Sequence, residues 1–305
     1  MSTDSTCGLF LRTLFCFCLL MALRAQAGWQ GDPPLQNKYR EHEFLAACLE
    51  GNCPAVKFYL ESEGFDLNER RMSGSSRVPV TGLYRAALAG QTETVRMLVA
   101  AGAEPDRSCG EEAATPLLVA SQNGHADVVS ILLEARAGLD LSRKDGVTPL
   151  LVASQNGHTE VVRVLTTAGA AVHLSRKDRA TPLFMASWKG HTETVRILLA
   201  AGADPDRSCR GGDTPLFIAS QEGHAEVVRI LLEAGANPSI SWRLLHPLNF
   251  GFLRRTPLTQ AKRMKLFSMP GSARRKVYSG IISTLSQAPS RSLSTAEEAT
   301  NHPTD

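Results

Sequence analysis

Four histidines recur at one fixed interval, each directly after a glycine: His125, His158, His191 and His224, 33 residues apart. Imidazole is the commonest metal ligand, so four of them invite a zinc site. A zinc ion needs its ligands about 2 Å from a single point. Units that each carry one histidine and pack side by side as helices lie about 10 Å apart, too far for the rings to converge. The rings are expected to hold backbone groups of the inter-helix turn instead. Downstream of residue 30 the cysteines are Cys48, Cys53, Cys109 and Cys209. Their spacing fits neither a metal knuckle nor a disulfide framework. Cys109 and Cys209 sit in near-identical PDRSC segments, which reads as duplication. No phosphate-binding glycine loop and no nucleophile elbow occurs. Asp127, Glu160, Glu193 and Glu226 fall at expected helix starts, where the helix dipole accounts for them. The residues therefore predict a non-catalytic chain with no metal and no cofactor.

The interval itself is the stronger signal. Thr-Pro-Leu stands at Thr115–Leu117, Thr148–Leu150, Thr181–Leu183 and Thr214–Leu216, again 33 residues apart. In the unit from Lys144, Asp145-Gly146 is a turn, Thr148 an N-cap and Pro149 a first helical residue. Leu150, Val152 and Ala153 give a short apolar face that Gly157 ends. Thr159 and Glu160 open a second helix striped by Val161, Val162, Val164 and Leu165, and Gly169 ends it. A unit of turn, helix, turn and helix at this period cannot bury its apolar face alone, so it must stack on its neighbours.

These residues resemble the ankyrin repeat, whose signature includes T-P-L-H-x-A at this period. The resemblance implies an all-α, ankyrin-type helix-turn-helix solenoid with short β-hairpin tips, a concave binding face and an intracellular setting. The histidine after TPL is replaced here by Leu118, Leu151, Phe184 and Phe217, which makes the inner face more apolar.

The repeat array is expected over residues 42–242, about six units, of which the first is degenerate. In that first unit Phe44, Leu45, Ala47 and Cys48 suit one helix, and Val56, Phe58, Tyr59 and Leu60 a second. A longer loop, Arg70–Val80, follows. Thr81 to Thr115 is 34 residues, which places a one-residue insertion near Gly110–Ala114. Arg136 and Arg179 stand where the other units carry a left-handed glycine. Trp242–Phe252 carries an insertion of about nine residues relative to the period. Residues 243–286 read as a modified basic capping repeat, with Leu258 and Ala261 on a shortened first helix and Val277, Ile281, Ile282 and Leu285 on the second. Residues 287–305 read as a disordered tail.

The amino terminus is of another kind. An apolar run behind Arg12 and an Ala25-Gln26-Ala27 tripeptide make residues 1–27 a signal peptide or a hydrophobic anchor, joined by a linker at 28–41. The compartment is thus open: cytoplasmic by resemblance, or the secretory pathway or a membrane if that segment works as a leader. Charge is also uneven. Residues 243–305 hold ten Lys/Arg and three Asp/Glu, and Arg243–Gly280 contains no carboxylate. Without a recognisable nucleic-acid module, that block reads first as a solvated cap.

Binding residues are sought where otherwise similar units differ. The tips contribute Arg143, Lys144, Arg176, Lys177, Arg207 and Arg210; the first helices contribute Phe184, Trp188, Lys189, Phe217 and Gln221. Trp and Arg dominate protein–protein hot spots. The expected function is a monomeric scaffold that grips a partner protein, with an acidic surface, by its tips and inner helices, and that uses no small-molecule substrate. The alternative is a membrane-associated or secreted adaptor using the N-terminal segment and the basic C-terminal block.

Overall fold

The computed structural model describes residues 43–62, 64–73, 76–240, 242–244, 253–266, 268 and 272–288. The expected leader, the linker and all of the expected tail beyond residue 288 lie outside the described residues. Helices come in antiparallel pairs. The first pair is α1 (residues 43–50) and α2 (Cys53–Leu60). Then follow α3 (Gly82–Ala89) with α4 (Thr92–Ala100), α5 (Pro116–Asn123) with α6 (Ala126–Glu134), and α7 (Pro149–Asn156) with α8 (Thr159–Thr167). The array continues with α9 (Pro182–Lys189) and α10 (Thr192–Ala200), then α11 (Pro215–Glu222) and α12 (Ala225–Glu233), and ends with α13 (Pro257–Leu266) and α14 (Ala273–Gln287). From α3 onward, odd-numbered helices pack on one another in an inner row and even-numbered helices form an outer row behind them.

Local chemistry sets each pair. The Thr148 hydroxyl accepts from Leu151 N at 3.2 Å, and Pro149 fills the first helical position without leaving an N–H unpaired. Leu150, Val162 and Leu165 then turn into the seam between the two rows and are buried. Outer helices α8, α10 and α12 lack a side-chain cap, and Glu160, Glu193 and Glu226 sit in their first turns instead, where they complement the helix dipole.

Neighbouring units are joined by two rows of side-chain hydrogen bonds. In the first row each histidine reaches back to the inner helix of the preceding unit: His125 Nε2 to Leu88 O at 3.2 Å, His158 to Gln122 O at 2.9 Å, His191 to Gln155 O at 3.1 Å and His224 to Trp188 O at 3.0 Å. A carbonyl can only accept, so Nε2 carries the proton. The rings thus bind across units rather than within their own turn, which corrects the sequence expectation. Gln91 Nε2 makes the same bond to Leu49 O at one end, and the Tyr278 hydroxyl makes it to Gln221 O at the other. In the second row, Asn68, Asp106, Asp140 and Asp206 accept from the backbone N–H of Glu104, Gly138, Ala171 and Asn237 in the next unit. His173 stands at the vacant place in that row, one 33-residue step after Asp140. His173→Asp is expected to supply the missing acceptor to Asp204 N and add about 1 kcal/mol of stability in urea unfolding; an unchanged midpoint would sink that reading.

The ends depart from expectation in several places. Residues 71–73 and 76–80 are not a plain loop: β1 (Arg71–Ser73) pairs antiparallel with β2 (Ser76–Val80). Phe58 is 48% exposed and so leaves the core to Phe44, Val56 and Tyr59. Between the ends the tips tighten to turns closed by two backbone bonds each: Arg143 N to Val147 O with Gly146 N to Arg143 O, and Arg176 N to Ala180 O with Arg179 N to Arg176 O. The tip after α4 spans Cys109 to Ala114, one residue more than its counterpart from Cys209 to Asp213, which locates the insertion. The Trp242–Phe252 insertion begins in β3 (Trp242–Leu244), which pairs with β4 (Leu253–Arg255). Residues 245–252, most of the insertion, lie outside the described residues. The first helix of the cap is longer than its counterparts, 10 residues against 8, rather than shortened. On α14 the buried set is Tyr278, Ile281 and Leu285, so the face is rotated away from Val277, which is exposed. The helix itself continues through Gln287, just past the expected start of the tail.

Arg136 and Arg179 have φ of 63° and 65°. L side chains crowd the following carbonyl in this left-handed region. Arg136→Gly is therefore expected to stabilise the array by about 1 kcal/mol in thermal or urea melts; equal or lower stability would count against the strain.

Candidate functional site

Two clefts open along the inner row, toward the tips. The first, of about 470 Å³, is bordered by Tyr84, Arg85, Glu111, Glu112, Gln122 and Arg143. Its charges are mixed. Burial, with the nearby Cys109 second, pushes the Tyr84 phenol above its ordinary pKa.

The second, of about 340 Å³, is different in kind. Helix α9 supplies Phe184, Met185 and Trp188, which share a face because helical residues three and four apart are neighbours. Helix α11 adds Ile218. The tip before α9 brings Arg176, Asp178 and Ala180, and the next tip brings Cys209, Arg210 and Gly211. Met185 and Ile218 are buried and Phe184 is 8% exposed, so they make an apolar floor. Trp188 stands 38% exposed, with Lys189 Nζ 4.4 Å from its ring centre. That cation covers one face of the indole, an attraction of about 0.5–1 kcal/mol at an exposed site.

The rim is held rigidly. Arg176 forms a two-pronged ion pair with Asp178, Nε to Oδ1 at 3.1 Å and Nη2 to Oδ2. Asp178 Oδ1 also accepts from Ala180 N at 3.1 Å, and Asp178 O accepts from Arg210 N at 2.7 Å, tying one tip to the next. The hydrogen bond from Arg176 lowers the Asp178 carboxyl below its ordinary value, and Arg143 does the same to Asp145. Hence Arg143 and Arg176 are not free positive charges. Lys144, Lys177 and Arg210 remain exposed along the tips, and so does Arg207.

The site residues named from the sequence therefore divide. Arg176, Phe184, Trp188 and Arg210 meet in the second cleft, with Lys189 against the indole. Arg143 belongs to the first cleft. Phe217 is only 3% exposed, so little of its ring is open to a partner. Gln221 is turned to the cap, where its Oε1 accepts from Gln260 Nε2 at 3.1 Å. Sequence reasoning missed Met185 and Ile218. Their signal was the spacing to Trp188 and the larger side chains there than Val119 and Val152 at the matching places in the earlier units.

Reactive chemistry has little to work with. Burial pushes the Cys48 thiol up to about 12, so it stays protonated at neutral pH. Among the described residues no group of His, Cys, Asp and Glu could hold a metal ion. Among them also, no helix is long and apolar enough to cross a membrane.

The family of ankyrin repeats, described in three-copy form, matches residues 43–145, 83–178 and 150–241, more than half of the chain. The chain belongs to the ankyrin repeat family. Ankyrin repeats are generally non-catalytic, and the fold points to binding of other proteins. The palmitoyltransferase AKR1 of Kluyveromyces lactis is 32% identical over 103 residues, 34% of this chain. That stretch is 13% of the yeast protein, so the likeness concerns only a small part of its length.

Proposed function

We propose that this ankyrin array is a non-catalytic adaptor, and that its partner protein places an apolar side chain in the second cleft. The observation that carries the reading is Trp188, exposed above a floor of buried Phe184, Met185 and Ile218. An exposed tryptophan beside a preformed apolar hollow is the composition of an interface hot spot. Arg210, Lys177 and Lys144 along the tips favour carboxylates flanking the partner's anchor, and steer its approach. Arg143 and Arg176 contribute less to that field than their type suggests, since each is neutralised by its own turn's aspartate. The tip-to-tip backbone bonds support docking onto a surface that is set before the partner arrives. The array acts as a monomer in this reading, and no substrate is turned over. The resemblance to part of a palmitoyltransferase fits a binding module shared with that protein.

The test is affinity capture by the full chain, comparing the unaltered protein with Trp188→Ala/Arg210→Ala and with Arg163→Ala on the outer row, where Arg163 pairs with Glu160 and Glu193. Partners lost with the cleft variant and kept with the outer variant support the cleft. Identical partner sets for all three proteins would remove it.

A further inference from the structure

The last helical pair presents a surface unlike the rest of the molecule. The C-terminal end of α13 and the N-terminal end of α14 are brought together by the turn between them, where Arg275 Nη1 donates to Ser268 O at 3.5 Å. This end of the pair carries Lys262, Arg263 and Lys265 on α13 and Arg274, Arg275 and Lys276 on α14. No carboxylate occurs anywhere in Arg243–Gly280. Amid these cations Leu266 is 77% exposed, the most exposed large apolar side chain among the described residues, and Val277 is exposed beside Lys276.

Orientation is fixed by the other side of the pair. Pro257, Gln260 and Ala261 of α13 and Tyr278, Ile281 and Leu285 of α14 are buried against the array. The Tyr278 hydroxyl donates to Gln221 O at 2.7 Å, and Gln260 Nε2 donates to the Gln221 side chain. With 3.6 residues per turn, Lys262, Arg263 and Leu266 point away from that contact. A basic cluster alone would suit any polyanion. A leucine in its midst gains nothing from a phosphate backbone, but it gains by entering the acyl boundary of a lipid layer. Four to eight clustered Lys/Arg on an amphipathic helix are the composition that anionic leaflets attract, each cation adding to the binding.

We propose that this end of the ankyrin array docks on an anionic membrane leaflet, its lysines and arginines against acidic headgroups and Leu266 between them. The surface is separate from the cleft at Trp188, so this inference does not rest on the adaptor reading. Docking would leave the tips and the cleft free to hold a protein at the bilayer.

Sedimentation of the full chain with phosphatidylcholine vesicles, with and without phosphatidylserine, tests this. Binding is expected only where phosphatidylserine is present, and it should weaken as salt is raised. Lys262→Gln/Arg274→Gln/Lys276→Gln should bind about 100-fold more weakly, and Leu266→Ser about tenfold. Both variants alter outward residues and should melt like the unaltered protein. If residues 1–27 were what held the vesicles, the triple variant would bind as tightly as the original, which overturns the proposal. So would equal binding to both vesicle types, binding to polyglutamate or duplex DNA but not to vesicles, or an unchanged Leu266→Ser variant.

Discussion

Gly157→Ala is expected to destabilise the protein by about 3 kcal/mol, whereas Gly169→Ala in the same unit should cost about 1 kcal/mol. Both glycines are left-handed, with φ of 74° and 91°. The backbone term alone therefore predicts equal losses. Their surroundings differ. A methyl group on Gly157 would come within 2.5 Å of His191 Nδ1, while one on Gly169 would meet nothing within 4 Å. At Gly157 the ring must swing away and give up its bond to Gln155 O, so the lost hydrogen bond and disturbed packing add to the backbone strain. Nature's own substitution agrees: Arg136 occupies the place matching Gly169, whereas Gly51, Gly90, Gly124, Gly190 and Gly223 keep glycine at the place matching Gly157. Urea unfolding of the two variants checks the claim. Equal losses would mean that the histidine row contributes nothing to joining the units.

Trp188→Ala should weaken the partner complex by about 2–3 kcal/mol, roughly 30–150-fold in affinity, and leave the melting temperature almost unchanged. The two halves of that statement have different causes. The indole is partly exposed and rests against Lys189 rather than in the core, so truncation creates no cavity. Yet it forms the wall of the hollow over Met185 and Ile218, and a partner's apolar side chain would lose its largest neighbour. Phe217→Ala is the contrasting case. Its ring is buried, so truncation should lower stability by several kcal/mol. A fully folded Trp188→Ala protein that binds its captured partner as tightly as the original would dismiss the cleft, measured by titration calorimetry.

Most of the array was legible because its signals are local. Thr148, Pro149 and Gly157 start and stop one helix by their own backbone preferences, and the 33-residue interval repeats that instruction. The strain at Arg136 and Arg179 was readable for the same reason, since only comparison with glycine at the matching place was needed. What the sequence hid was pairing between units. Nothing in the order of residues says that Arg176 will close on Asp178, or that Phe184 will line the cleft while Phe217, at the same place one unit later, will not. The α14 face was misread because Val277 and Tyr278 are both apolar enough to serve, and the hydroxyl's bond to Gln221 O, 57 residues away, decided between them.

The seam before α9 has a further property. At the two preceding seams an asparagine joins the histidine on the same carbonyl: Asn123 Nδ2 on Leu88 O at 2.7 Å and Asn156 Nδ2 on Gln122 O at 2.8 Å. At the seam before α9 that place is Lys189, which lies over the indole, and the aspartate place is His173. Two rivets are thus absent from the joint between the α7–α8 pair and the α9–α10 pair, next to the one that holds the cleft. A solenoid pulled along its axis bends where its fastening is thinnest. The hollow beside Trp188 lies one joint further on, where His224 on Trp188 O, Asn237 N on Asp206 and Arg210 N on Asp178 O are all in place, so the array can yield just before the hollow without altering its mouth.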